Sequence, residues 1–236
     1  DKDIPRFILC ALFGLAINQI FFFEGLNLTT AVNSSIIMTI NPLLVLVFSR
    51  VIIGDRITWM KTFGIICGAS GAVFLILNKG SISFASGTFV GNTFTFINAT
   101  SFALYLVLVK PLMMKYSPLT VMKWIFAFGF IIVFPLCIGK VIRTDYASIP
   151  VSAWFSLSYI VIAATILGYL LYNYSLRFLS PASTSSYIYL QPLLASLTSF
   201  FLGRETITWL DAGCALLIFT GVFLVSYRSS RRKVFS

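Results

Sequence analysis

A chain of 236 residues with 58% hydrophobic and only 10% charged side chains is too poor in charge for a water-facing surface, since soluble domains hold roughly 25% charged residues. Histidine is absent and the four cysteines stand singly, so zinc, haem and Cys–His chemistry lack their usual ligands and no cofactor is expected. The net charge of +10 sits in short clusters between apolar runs, a pattern of membrane topology and not of nucleic-acid binding.

A spanning helix needs about 20 mostly apolar residues. That ruler, together with a mean hydropathy of +0.96, predicts eight helices over residues 7–23, 31–53, 60–77, 90–109, 121–138, 153–176, 182–202 and 208–227. Cys10, Cys67, Cys137 and Cys214 fall inside these runs and read as small apolar residues. The longest connections lie near residues 78–87 and 139–152, and none is rich enough in Pro, Ser or charge to separate soluble domains. Barrel strands would be about ten residues long with alternating polarity, so the expected fold is an all-α polytopic membrane helix bundle.

Numbering the connections alternately puts Lys2, Arg6, Arg50, Arg56, Lys61, Lys110, Lys115, Lys123, Arg177, Arg228, Arg231, Arg232 and Lys233 on one side. The other side holds Lys79, Lys140, Arg143 and Arg204. The side richer in Lys and Arg is the cytoplasmic one. A multi-pass protein of the cell (inner or plasma) membrane with both termini in the cytoplasm is therefore expected, with residues 228–236 as a basic anchoring tail.

The chain repeats itself at an offset of 150 residues. Asn41-Pro42-Leu43-Leu44 returns as Gln191-Pro192-Leu193-Leu194, Ile57-Thr58-Trp59 as Ile207-Thr208-Trp209, Asp55 as Glu205, Ser35 as Ser185 and Gly71 as Gly221. Residues 22–76 and 172–226 share ten identities in 55 positions, bunched at the same points of successive helices. The first helix matches the sixth, so the unit spans five helices, and an odd number of crossings inverts the second copy in the membrane. Inverted repeats of this kind belong to secondary transporters, whose solute sits between the halves. The predicted division is 1–78 for the last three helices of the first copy and 87–227 for a complete second copy. Two further helices are expected before Asp1.

The run from Leu26-Asn27-Leu28-Thr29-Thr30-Ala31 through Asn41-Pro42-Leu43-Leu44 to Gly54-Asp55-Arg56-Ile57-Thr58 and Gly71 resembles an EamA domain. Ser180-Pro181-Ala182 through Pro192-Leu193 to Gly203-Arg204-Glu205-Thr206-Ile207-Thr208 resembles a second one. The chain is thus similar to members of the drug/metabolite transporter superfamily. That resemblance implies ten helices in two inverted halves, both ends cytoplasmic, and transport of a small-molecule solute across the lipid bilayer. The first two helices of that frame, which help line the pathway in the family, correspond to the two expected before Asp1.

Polar groups at bilayer depth are costly unless paired, which makes them candidates for function. Asn33, Ile37 and Asn41 are spaced i, i+4, i+8 on one helical face, and their repeat mates Ser183, Tyr187 and Gln191 share the corresponding face. Asn98 and Tyr105 mark one face of the fourth helix, together with Thr95 and Ser101, while Gln19 pairs by offset with Tyr169. Gln19, Asn33, Asn41, Asn98, Tyr105, Tyr169, Tyr187 and Gln191 form the predicted solute-binding set, against the plainer alternative of hydrogen bonds between neighbouring helices. Pro42 and Pro192 fall mid-span, where each removes a backbone bond; a hinge and a static kink are both compatible. Gly64-x-x-x-Gly68 with Gly71, and Gly87-x-x-x-Gly91, are smooth stripes for close helix packing, with homodimer formation as the sharper alternative.

Paired acids, metal ligands or a Ser/Lys dyad at membrane depth are not visible, so an enzyme is not expected. With no Lys or Arg at midplane, the expected cargo is neutral or zwitterionic, such as an amino acid or a drug-like amphiphile, moved by alternating access and most simply outward. The alternative is a receptor or scaffold of the same fold that transports nothing.

Overall fold

The structure is a computed structural model that describes residues 2–79, 82, 88–203 and 208–231. Among these residues there are helices and no strands. We label eight helices: α1 (Ile4–Leu28), α2 (Ala31–Ile52), α3 (Trp59–Lys79), α4 (Thr88–Lys115), α5 (Pro118–Arg143), α6 (Val151–Ser175), α7 (residues 181–201) and α8 (Trp209–Arg231). Seven are long and apolar enough to cross a membrane by length and composition. The eighth, α7, is cut into Pro181–Ser186 and Leu190–Phe201 by a 3₁₀ turn at Tyr187–Tyr189. The helices outrun the predicted spans at most ends. The 28 residues of α4 amount to about 42 Å at 1.5 Å per residue, enough to cross the headgroup regions as well as the hydrocarbon.

Local signals set the helix ends, and the two copies use the same ones. Thr30 accepts a bond from the Asn33 N–H at 3.1 Å to start α2, and Ser180 accepts from the Ser183 N–H at 3.2 Å to start α7. Pro118 and Pro181 stand in first turns, where their missing N–H costs nothing. Past the ends of α2 and α7 the chain turns at Gly54 and Gly203, the two residues with positive φ among those described (69° and 67°). The tail beyond Arg231, the turn bearing Arg204, Glu205, Thr206 and Ile207, and Gly87 lie outside the described residues.

α4 is the central post, packed by α1 along one side and by both segments of α2 along another. α1 is held between α4 and α5, while α6 keeps an exposed outer face. α3 lies against α8 in the closest helix pair of the bundle. A Cβ added at Gly64 would sit 2.8 Å from the Gly221 carbonyl, and one added at Gly71 would sit 2.9 Å from the Cys214 carbonyl. Residue numbers rise on one helix as they fall on the other, so α3 and α8 run antiparallel. The contact is also reciprocal, because 64 and 214 are repeat mates, as are 71 and 221. The Gly64–Gly68–Gly71 stripe is therefore spent on α8 and, at Gly68, on the Tyr189 ring of α7 in the same chain, and Gly91 is pressed on the Leu28–Thr29 backbone.

Polar pairs gather the helix ends into two groups. At one end Lys115 pairs with Asp3, Lys110 reaches the carbonyls of Leu176 and Leu179, and Lys61 pairs with Asp55 at 2.9 Å. At the other, Lys140 meets Glu24 at 3.2 Å and Asn78 donates to Asp211 at 3.1 Å. The sorting follows the strict alternation of ends that eight crossings require.

Candidate solute path at the repeat axis

α1 does not run as a plain α-helix. Leu12–Ile17 is a π-helical segment, and α6 carries another at Ile160–Leu167, with the two ending at repeat mates 17 and 167. Widening a turn frees backbone carbonyls from the i→i+4 ladder, and such bulges recur at functional sites. Around this stretch of α1, three backbone carbonyls are taken by side chains of other helices. Ser101 donates to Phe13 O at 2.5 Å, Tyr169 to Gly14 O at 2.6 Å, and Asn98 Nδ2 to Asn18 O at 2.7 Å. Gly14 has no alternative, since the Tyr105 ring occupies the place of a side chain there.

A buried polar and aromatic cluster grows from these bonds. Tyr105 Oη donates to Asn173 Oδ1 at 2.8 Å. Asn18 Oδ1 stands 3.3 Å from the Tyr169 hydroxyl, and the Gln19 side chain lies beside the same hydroxyl. The rings of Phe102, Tyr105, Phe126, Tyr169 and Tyr172 enclose the group at centroid distances of 5.5–6.0 Å.

One turn away, α2 breaks. Pro42 has no N–H for the Met38 carbonyl, and the chain tightens: Thr39 and Ile40 donate three residues back, to Ile36 O and Ile37 O, both at 3.1 Å. Asn41 then donates to Ala99 O of α4 at 2.8 Å. α7 tightens at the equivalent place, just before Pro192. The two breaks touch, for Tyr189 Oη donates to Thr39 O at 3.1 Å across 150 residues.

Repeat mates therefore meet three times: Gln19 with Tyr169, Thr39 with Tyr189, and the glycine-lined faces of α3 and α8. A pseudo-two-fold axis passes through all three contacts. Among the buried side-chain atoms near it, Asn41 Oδ1, Asn98 Oδ1 and Asn173 Nδ2 have no hydrogen-bond partner among the described residues. A buried unpaired polar atom costs about 1–3 kcal/mol, so these three positions suit water or the polar groups of a solute. No group of three His, Cys, Asp or Glu residues able to hold a metal occurs among the described residues.

Of the predicted site residues, Gln19, Asn98, Tyr105 and Tyr169 come together in this cluster, and Asn41 bonds α4 at Ala99, next to Asn98. Asn33 belongs to a separate group, sharing Asn92 Oδ1 with Thr29 at 3.4 and 2.5 Å. Tyr187 and Gln191 lie on an exposed face of α7. The 3₁₀ turn at Tyr187–Tyr189 interrupts the regular phase of α7, and there Tyr189 is buried while Tyr187 is exposed. Asn18, Asn173, Gly14 and Tyr189 belong to the site and escape the helical-face reading. Two signals point to them, the offset that pairs Tyr189 with Thr39 and the i+4 step from Tyr169 to Asn173.

Helices that span a bilayer, paired head to tail about an axis lined with amides and aromatic hydroxyls, define a polytopic membrane transporter. The chain belongs to the EamA-like transporter family, whose model matches residues 1–77 and 89–227. It is 26% identical over 227 residues to the uncharacterized transporter YyaM of Bacillus subtilis (strain 168), covering 95% of this chain and 74% of that one. It is 27% identical over 233 residues to a "probable terminal-alkyne amino-acid exporter" of Streptantibioticus cattleyicolor, covering 98% of this chain and 76% of the relative. A solved crystal structure shares the fold with a TM-score of 0.76 at 19% identity, over 96% of this chain and 77% of that one.

Proposed function

We propose that this protein carries a small neutral or zwitterionic solute, of amino-acid or drug-like amphiphile type, outward across the cell membrane by alternating access of its two repeats. The observation that carries this reading is the meeting of repeat mates at one axis beside unpartnered amide atoms of Asn41, Asn98 and Asn173. An axis between inverted copies lets one half adopt the other's conformation, so a site on it opens to each side in turn. Amides and phenols there offer both donors and acceptors without a fixed charge, which suits an amino acid better than a phosphate ester. The exporter from Streptantibioticus cattleyicolor is named for an amino-acid cargo, which supports the same class. In this reading the helix breaks at Pro42 and Pro192 are the hinges, and both termini lie in the cytoplasm.

The test is counterflow in proteoliposomes. Vesicles preloaded with an unlabelled neutral amino acid should accumulate its labelled form, and Asn41→Leu should slow the uptake. If the purified protein moves no member of a panel of neutral amino acids and amphiphilic drugs while its helical spectrum is intact, the carrier reading is wrong.

A further inference from the structure

We propose that the cleft between α1 and α5 is a second binding site, apart from the axis, for an organic ammonium group. The cleft has a volume of about 300 Å³ and is lined by Asp3, Phe7, Tyr116, Thr120, Trp124 and Phe128. That size falls at the small end of ligand pockets. Four of its walls are aromatic rings: Phe7 and Tyr116 meet at 5.8 Å and an angle of 51°, and Trp124 stacks on Phe128 at 5.8 Å. Ring faces are electron-rich and attract cations, most strongly when they surround a site with little water.

The cleft also supplies a counter-charge. Asp3 Oδ2 takes the Lys115 ammonium and, at 2.8 Å, the Tyr116 hydroxyl, which leaves Oδ1 for a further donor. Lys115 itself reports what the site accepts. Its Nζ rests on the carboxylate and lies 5.2 Å from the centre of the Tyr116 ring, the two contacts an ammonium ligand would make. The lysine is a weak occupant, because its side chain is 60% exposed and exposed ion pairs contribute little. Rotation of its stem would clear the carboxylate for an ammonium whose carbon substituents fill the space between Trp124 and Phe128. A primary ammonium of this kind is offered by an ethanolamine lipid headgroup at the membrane surface and by a free alkyl or aryl amine in solution.

The experiment uses the full chain in detergent with two probes: labelled 2-phenylethylamine in equilibrium dialysis, and retention of phosphatidylethanolamine against phosphatidylglycerol in native mass spectrometry. Asp3→Asn and Trp124→Leu should each weaken binding by about tenfold, the size of a desolvated cation–aromatic contact. Lys115→Gln should strengthen it, because the internal competitor is gone. That sign separates the proposal from an anion site, where losing Lys115 would weaken binding. Phenylethylamine binding in lipid-free detergent assigns the site to free amines; ethanolamine-lipid retention without it assigns the site to the headgroup. Preference for phosphatidylglycerol, weaker binding in Lys115→Gln, or equal binding by all variants overturns the proposal.

Discussion

Tyr189 donates its hydroxyl to the carbonyl of Thr39 over 3.1 Å, and the two residues hold the same position in the two copies of the repeat. The bond joins two broken helices at their breaks, where freed carbonyls need donors and no lipid can supply one. The ring packs on α3, so close that a Cβ at Gly68 would fall 2.5 Å from it. Tyr189→Phe keeps the ring and loses only the bond, so the expected cost is about 1 kcal/mol. Tyr189→Ala also empties a fully packed site and should cost about 3–5 kcal/mol. Unfolding titrations in mixed micelles measure both. A Tyr189→Phe variant as stable as the parent would show that the hydroxyl does not bind the breaks together.

The α3–α8 contact has no room for a methyl group. A Cβ at Gly221 would meet the Gly68 backbone nitrogen at 2.5 Å and the Gly64 carbonyl at 2.6 Å, both rigid main-chain atoms. Gly221→Ala must push the two helices apart and should cost about 1–3 kcal/mol, the usual range for overpacking. Gly213→Ala, on the same helix but with nothing within 4 Å, should be neutral or slightly stabilising through helix propensity. Melting temperatures of the two variants make the comparison. Equal behaviour would mean that the seam is looser than its geometry.

Much of the bundle is legible in the sequence because a bilayer imposes coarse rules. Runs of apolar residues give the eight helices, and the 150-residue offset pairs α1 with α6, α2 with α7 and α3 with α8. The site is only partly legible, for a physical reason. Reading faces at 3.6 residues per turn holds while a helix is regular, as in α4, where Asn98 and Tyr105 both point to the axis. Across the 3₁₀ turn of α7 the regular phase is interrupted, and Tyr189 is the buried residue while Tyr187 is exposed. The π segments of α1 and α6 leave no mark in composition; in α1 the carbonyls of Phe13 and Gly14 are bonded by Ser101 and Tyr169, partners that only the folded bundle supplies. Lys110 shows the same dependence on tertiary context. A lysine near a helix end looks like a topology signal, yet here it serves the carbonyls of Leu176 and Leu179 just past the C-terminal end of α6, a site attractive to cations because of the helix dipole.

The unpartnered amide atoms separate a transport role from a structural one. Asn41 is wholly buried, with one bond to Ala99 O and no partner for Oδ1 among the described residues. Asn41→Leu keeps the forked shape but removes the donor to Ala99 O along with an acceptor that has no partner among the described residues, so stability should fall by about 1 kcal/mol. Solute flux should fall about tenfold, the effect of one lost hydrogen bond to the cargo. Initial rates in proteoliposomes and melting curves on the same preparation give both numbers. Loss of stability with unchanged flux would place Asn41 among the purely structural residues.

The pH dependence of stability has a sign that Asp3 fixes. Its carboxyl is held below the ordinary carboxylate value, first by the hydrogen bond from Lys115 and then by that from the Tyr116 hydroxyl. A group whose folded pKa is lowered contributes stability that is fully present above its unfolded value, about 3.9 for Asp, and is lost as pH falls through the folded value. From pH 7 to pH 5 this contribution should therefore stay constant. Below about pH 4 it should decline as the protonated carboxyl releases Lys115. Asp3→Asn lacks the titrating group, so its melting temperature should lie below the parent's at pH 7 and converge on it toward pH 3. A gap between the two curves that is unchanged from pH 7 to pH 3 would show that the Asp3–Lys115 pair does not hold the α1 and α4 ends together.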